Sequence, residues 1–166
     1  MGSNLTERVE ALEGRLKILE EERAILSTLY TYGHAIDYGL KAKWLDCFTK
    51  DAVYKVQAFG VVLPEALIKQ PPTGMKGRDA LAKYITRHTK APESWHKHCL
   101  VEPIMQFEGD NEASVESYFA RLDEDQNGPY VLAFGRYRDK MVKAPDGKWR
   151  FKERICEIES RIPRRE

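Results

Sequence analysis

Asp37 is the first residue whose type and position suggest chemistry. It ends a helical pattern and follows His34 by one helical turn. A carboxylate near a helix C-terminus faces an unfavourable dipole, and partial burial would also remove its hydration. Both effects predict a raised pKa for Asp37, although a solvated acid in a turn between helices would show the same pattern.

A second stretch brings two histidines into one predicted strand. Side chains alternate along a strand, so His96, His98 and Glu102 share one face. If the first helix covers that face, His98 can meet Asp37. An acid–imidazole pair fixes the tautomer and raises the basicity of the imidazole, as a general base near neutral pH requires. We interpret His96 as a polar residue at the rim and His88 as a solvated residue at a helix end.

The sequence predicts neither a metal nor a cofactor. The His-x-His pattern with Glu102 could suggest a metal, but no convincing third histidine or cysteine ligand lies nearby in the sequence. Cys47, Cys99 and Cys156 are odd in number and lack a C-x-x-C spacing, which is typical of reduced core thiols. Glycine-rich phosphate loops, dinucleotide fingerprints and G-x-S-x-G are missing from the sequence.

Three tyrosines are candidate phenols for a pocket, and each could equally be a core aromatic residue. They are Tyr32, Tyr54 and Tyr118. Tyr32 precedes Asp37 by five positions, about 140° around an ideal helix, so spacing alone does not bring the two together. The stretch 59–77, which begins at Phe59, mixes apolar residues with prolines and glycines. It either covers a pocket, with Phe59 as a contact to substrate, or packs on the sheet as a surface excursion.

Length and charge exclude several classes of protein. The 166 residues suit one domain that can enclose a cavity for a small molecule. The 27 basic and 26 acidic side chains give a formal net charge of +1, so we expect neither nucleic acid nor a membrane as partner. Apolar runs of roughly 20 residues are missing, and so is a signal-peptide pattern. The sequence therefore predicts a cytoplasmic protein.

The first 21 residues carry an apolar repeat of their own. Its members follow the a and d positions of a heptad and are Leu5, Val9, Leu12, Leu16 and Leu19. We interpret residues 1–21 as a helical arm for oligomerisation or docking, with packing against its own domain as the alternative. Residues 22–160 form the domain, and residues 161–166 form a polar tail.

Within the domain, helical patterns come first and long strands last. A short helix is predicted over 41–48, a turn over 49–51, a strand over 52–56 and a third helix from Gly77. Four strand-length segments follow, separated by turn sequences, which indicates an antiparallel meander. The order predicts an α+β fold with helices on one face of a sheet.

Four short motifs carry a resemblance to a known family. They are Ala35-Ile36-Asp37, His98-Cys99-Leu100-Val101-Glu102, Gly135-Arg136-Tyr137-Arg138-Asp139 and Gly147-Lys148-Trp149-Arg150-Phe151. From Glu22 to Ser160 the chain resembles the SnoaL-like group of the nuclear transport factor 2-like superfamily. Scytalone dehydratase, bile acid 7α-dehydratase and hexachlorocyclohexane dehydrochlorinase are relatives within that superfamily.

The resemblance implies a fold, an assembly and a set of site residues. The fold is a cone-shaped, curved antiparallel sheet wrapped by three N-terminal helices, also called cystatin-like, around an apolar cavity. Homo-oligomers are implied, with a trimer favoured and a dimer as the alternative. The catalytic Asp–His pair of the family matches Asp37 and His98, and the family's tyrosines match Tyr32 and Tyr54. Tyr118, His96, Phe59 and Glu102 are our candidates for contacts to substrate.

These observations lead to a functional hypothesis with two rivals. The chain would be a cofactor-independent lyase that eliminates water, or another small group such as formaldehyde, from a hydroxylated aromatic or polycyclic compound. His98 would act as the base and Asp37 would orient it. An isomerase or polyketide cyclase would use the same pair without expelling a group, and a binding module would only hold the ligand.

Overall fold

The longest element is helix α1, which is continuous from Leu5 to Asp37. The computed structural model describes residues 4–61 and 74–161. Asn4 caps α1 in a reciprocal capping box with Glu7, which satisfies two backbone donors of the first turn. The predicted arm is therefore the first half of a domain helix. Its role in oligomerisation stays a prediction.

The remaining elements follow in the predicted order, apart from the short strand β2, which was not predicted. They are α2 (Lys41–Asp46), β1 (Phe48–Ala58), β2 (Met75–Lys76), α3 (Gly77–Arg87), β3 (His96–Phe107), β4 (Glu112–Asp125), β5 (Gly128–Lys143) and β6 (Trp149–Ile158). The prediction of a turn over 49–51 is wrong. These residues belong to β1, where the register against β6 shifts between Phe48 and Val53. Most of the stretch 59–77, which we interpreted as a pocket cover, lies outside the described residues.

All six strands form one sheet in the order β2-β1-β6-β5-β4-β3. Strands β3 to β6 pair as the predicted antiparallel meander. Strand β1 instead runs parallel to β6, so the sheet is mixed rather than wholly antiparallel. A parallel pair needs a long connection, and everything between β1 and β6 supplies it. The α+β fold class is confirmed, with helices before strands.

Helix α1 packs across the sheet and contributes much of the core. Ile25, Leu29, Ala35 and Ile36 are all buried, and they recur at helical spacing along one face. Thr28 Oγ1 donates a hydrogen bond of 2.7 Å to the carbonyl oxygen of β6 residue Trp149, which fixes the helix against the sheet. Within the described part of the chain, no helix is both long and apolar enough to cross a bilayer.

Candidate functional site

The last residue of α1 meets the beginning of β3. Asp37 Oδ1 lies 2.6 Å from His98 Nδ1, and the backbone N–H of His98 donates to Asp37 Oδ2 at 3.1 Å. The helix end is held in place because the backbone N–H of Ala91 donates to the Asp37 carbonyl at 2.9 Å. Both carboxylate oxygens are therefore used to fix one histidine, and the structure brings together the pair that the sequence suggested.

The prediction of a raised pKa for Asp37 is wrong. Burial is the largest influence and raises its pKa, as expected, but three contributions from His98 oppose it. These are the side-chain hydrogen bond, the charge of the imidazole and the backbone N–H, and the charge of His96 adds to them. The pKa of Asp37 is therefore lowered, so the residue is a carboxylate at neutral pH rather than a candidate acid.

His96 is a buried residue rather than the rim residue that we expected. Its side chain is 0% exposed, compared with 11% for His98. His96 Nδ1 lies 3.1 Å from the carbonyl oxygen of Ser94, and Nε2 lies 3.6 Å from Asp37 Oδ1. Burial is the main cause that lowers the pKa of His96, followed by the charge of Arg121.

A third histidine belongs to the same cluster, which corrects our interpretation of His88 as solvated. Its ring centroid lies 5.4 Å from that of His96 and 5.6 Å from that of His98. Burial lowers the pKa of His88 to about 3, with the charge of His98 as the next cause. The sequence contains one signal for this position of His88. It follows Tyr84 by four residues, and residues at that spacing share a helix face.

His34 lies apart from this cluster. It is exposed on the outer side of α1 and lines a surface groove of about 450 Å³ between α1 and α2, together with Tyr30, Leu40 and Lys43. His34 lies on the side of α1 that faces away from the core. It therefore points away from Asp37, although the two residues are one helical turn apart.

The predicted tyrosines Tyr32 and Tyr54 do meet. Their hydroxyls lie 3.2 Å apart, and burial raises the pKa of both phenols, so both stay protonated. Tyr84 of α3, which was not among the predicted site residues, links them to the histidines. Its ring centroid is 5.5 Å from that of Tyr54 and 5.7 Å from that of His88. The phenols and the imidazoles thus form one continuous set of contacts.

The other three predicted substrate contacts lie elsewhere. Tyr118 is 57% exposed on the outer face of β4, because the flanking residues Ser117 and Phe119 point inward. Glu102 is exposed at a register shift in β3, with a φ of 50°. Phe59 is 51% exposed, and its ring lies under the guanidinium of Arg136. The structure brings none of the three to Asp37 and His98.

A buried ion pair in the sheet was not predicted from the sequence. Arg154 of β6 is 1% exposed, and its Nε lies 3.6 Å from Asp139 Oδ1 on the neighbouring strand β5. The guanidinium carbon lies 3.7 Å from the ring centroid of Tyr137 and 4.0 Å from that of Tyr32. A cation enclosed by aromatic rings gives no periodic signal in the sequence, so only the packed structure shows it.

Burial makes the stability of this pair depend on pH. It raises the pKa of Asp139 to about 7, against a smaller opposing effect of Arg154. Between the unfolded pKa near 4 and this value the folded state holds more protons, so the free energy of unfolding falls as pH rises. We expect wild type to lose stability relative to Asp139→Asn by up to about 1.4 kcal/mol per pH unit across that window.

Denaturant unfolding of both proteins at several pH values measures this difference. A stability gap that stays constant from about pH 4 to about pH 7 would show that Asp139 is ionised throughout.

The chain belongs to the SnoaL-like domain family, whose model matches residues 17–155. Its fold is therefore that of the nuclear transport factor 2-like, or cystatin-like, proteins. No curated protein sequence matches the chain.

Solved structures support the same fold. An NTF2-like protein with a cystatin-like fold from Novosphingobium aromaticivorans has a TM-score of 0.72 at 20% identity, covering 95% of this chain and 92% of that one. A candidate scytalone dehydratase from the same organism has a TM-score of 0.66 at 22% identity, covering 87% of each chain. The β subunit of a candidate aromatic-ring-hydroxylating dioxygenase, also from that organism, has a TM-score of 0.68 at 18% identity, covering 87% and 92%.

Proposed function

We propose that the chain is a cofactor-independent lyase that eliminates water, or another small group such as formaldehyde, from a hydroxylated aromatic or polycyclic compound. The observation that carries the proposal is the contact of 2.6 Å between Asp37 Oδ1 and His98 Nδ1. The fold gives support at a coarser level, because SnoaL-like domains bind small molecules and one neighbour is a candidate dehydratase.

We assign His98 the role of base, and the hydrogen bond to Asp37 supports this assignment. A carboxylate oxygen can only accept a hydrogen bond, so His98 Nδ1 carries the proton and Nε2 keeps its lone pair. Asp37 is a carboxylate, and it stabilises the imidazolium that forms when Nε2 takes a proton. Among the acid and the two histidines in contact with it, the His98 side chain is the most exposed, at 11%, so it is the one that substrate can approach.

The elimination then needs one proton acceptor and one hydrogen-bond donor. His98 Nε2 takes a proton from the carbon next to the leaving group, and the C–H electron pair forms the new double bond. The C–O bond breaks, and the departing oxygen recovers a proton from the imidazolium and leaves as water. For loss of formaldehyde, Nε2 would take the hydroxyl proton of a hydroxymethyl group, and the O–H electron pair would form the C=O bond of formaldehyde. The C–C bond would break, and the carbon that keeps its electron pair would take the proton back from the imidazolium.

Tyr32 and Tyr54 supply the donor. One hydroxyl of the pair donates to the other, and Tyr54 also shares a hydrogen bond with Tyr84, so a phenol of this set would turn its O–H to an oxygen of the ligand when the ligand binds. Because burial raises the pKa of both, neither loses this proton near neutral pH. A fixed donor in a water-poor site stabilises developing negative charge on oxygen far better than the same donor in water.

Mass spectrometry tests the class of reaction. Purified protein is incubated without added cofactor with a panel of hydroxylated aromatic and polycyclic compounds, beside the His98→Gln variant and a no-protein control. We expect a product lighter by water or by formaldehyde that only wild type forms. An isobaric product would replace the proposal with an isomerase or cyclase, and tight binding without product would replace it with a binding module.

We also propose that the chain forms a homo-oligomer, with a trimer favoured over a dimer. The apolar arm residues Leu5, Val9, Leu12, Leu16 and Leu19 are between 44% and 75% exposed along α1. Such a seam is normally covered in solution. Light scattering measures the assembly directly, and a monomer at micromolar concentration would contradict the proposal.

A further inference from the structure

The nitrogen His96 Nε2 is a buried acceptor without a donor. His96 Nδ1 lies 3.1 Å from the carbonyl oxygen of Ser94, which can only accept, so Nδ1 carries the proton of the neutral ring. Nε2 therefore presents its lone pair. The side chain is 0% exposed, and among residues 4–61 and 74–161 this nitrogen has no hydrogen-bond partner. A buried polar atom without a hydrogen-bond partner is energetically unfavourable. The group toward which its lone pair points indicates what it can bind.

The lone pair points at another acceptor. His96 Nε2 lies 3.6 Å from Asp37 Oδ1, and that carboxylate already accepts two hydrogen bonds from His98. Two acceptors that face each other in a buried site repel unless a cation lies against both. Metal–ligand bonds of about 2.0–2.2 Å at tetrahedral angles place neighbouring ligand atoms about 3.4 Å apart. The observed separation is close to that value, whereas the 2.6 Å between Asp37 Oδ1 and His98 Nδ1 is a hydrogen-bond distance that must widen by about 0.8 Å when the ion replaces the proton.

A third donor atom completes the set. Asp37, His96 and His98 each offer one ligand atom, and these atoms all lie within 4.8 Å of one another. We propose that these three residues bind one divalent transition-metal ion such as Zn²⁺. Two imidazole nitrogens and one carboxylate oxygen are a common set for such ions, and they leave a coordination position open.

The surroundings of His96 fit a ligand. Histidines that bind metals usually donate their other ring N–H to a carbonyl or carboxylate, which fixes the ring and its tautomer. His96 has this arrangement through Ser94. In the sequence the His-x-His pattern could suggest a metal, but a convincing third histidine or cysteine ligand is missing near the strand. The third ligand is Asp37, which is 59 positions away from His96 in the sequence and reaches the site from α1.

Metal binding and the proposed base function would exclude each other. To bind the ion through Nδ1, His98 must release the proton that it shares with Asp37 and hold a proton at Nε2 instead. The lone pair that the lyase mechanism uses is then lost. The inference does not rest on the proposed function, because the ligand set binds an ion whether or not the chain has a substrate.

Isothermal titration calorimetry with Zn²⁺ tests the site on the full chain after treatment with EDTA. We expect one ion per chain in wild type and binding at least about tenfold weaker in His96→Gln. His34→Gln is the matched control, because it removes an exposed histidine outside the cluster and should bind as wild type does. Circular dichroism verifies that each variant is folded.

A second measurement uses the wild-type chain alone, so that a variant that fails to fold leaves the proposal testable. In ¹⁵N-histidine NMR, Zn²⁺ should shift His96 Nε2 and His98 Nδ1 and leave His34 unchanged. Absence of bound Zn²⁺ in wild type, equal affinity in His96→Gln, or shifts confined to His34 would each overturn the proposal.

Discussion

His98→Gln is expected to abolish turnover while the protein stays folded. Glutamine occupies a similar volume and can still donate to Asp37, but it has no nitrogen that takes up a proton near neutral pH. Loss of a positioned general base typically lowers a rate by about 10²–10⁴-fold. The rate of product formation, measured by mass spectrometry on the substrate that the panel identifies, checks this expectation.

Two further variants separate the role of the base from that of its partner. Asp37→Asn keeps the shape of the side chain but removes the charge that stabilises the imidazolium, so we expect a large loss that is smaller than that of His98→Gln. His34→Gln should retain wild-type turnover, since His34 is exposed on the outer side of α1. Near-normal activity of His98→Gln would show that another residue is the base.

Among the variants considered for this protein, Arg154→Met is expected to cause the largest loss in the free energy of unfolding. The guanidinium is enclosed by the rings of Tyr32, Tyr137 and Phe151, and it is the cation that faces the buried Asp139. Removal of one partner of a buried ion pair leaves an uncompensated charge and typically costs about 3–5 kcal/mol. The free energy of unfolding from denaturant titration at about pH 9, where the Asp139 carboxyl is ionised in wild type, measures the loss.

The double variant Arg154→Met/Asp139→Asn provides the control. It removes both charges, so it should recover part of the stability that the single variant loses. Acidic pH should also reduce the loss in Arg154→Met, because Asp139 then takes up a proton and its charge disappears. A single variant within about 1 kcal/mol of wild type would mean that the pair contributes little to folding.

Periodicity and turn chemistry in the sequence are sufficient to predict the main elements of this fold. The apolar spacing of α1 and the turns between the last four strands predict helices followed by a meander, as observed. The parallel pairing of β1 with β6 could not be predicted, because it joins segments about one hundred residues apart and depends on which edge of the meander stays open. The irregular start of β1 resembles a turn in the sequence because its residues 49–51 are all polar, and residues such as aspartate are typical of turns.

The contact between two residues at the ends of secondary-structure elements could be predicted from the sequence. The properties of the site that depend on burial could not. Asp37 and His98 are the last residue of a helix and an early residue of a strand, so their meeting could be inferred from topology. The direction of the pKa shift of Asp37 could not, because it depends on how many hydrogen bonds its oxygens accept. The predictions for His88 and His96 were wrong because histidine has no fixed preference for the interior, and only the packed structure decides.

The tautomer of His98 tests the proposed mechanism most directly. A base at this position requires a proton on Nδ1, donated to Asp37, and a lone pair on Nε2. In ¹⁵N-histidine NMR of EDTA-treated protein, the neutral form of His98 should show a protonated Nδ1 and an unprotonated Nε2, and Asp37→Asn should weaken this preference. A His98 ring with its proton on Nε2 in the metal-free protein would contradict the mechanism, since no base would then face the substrate.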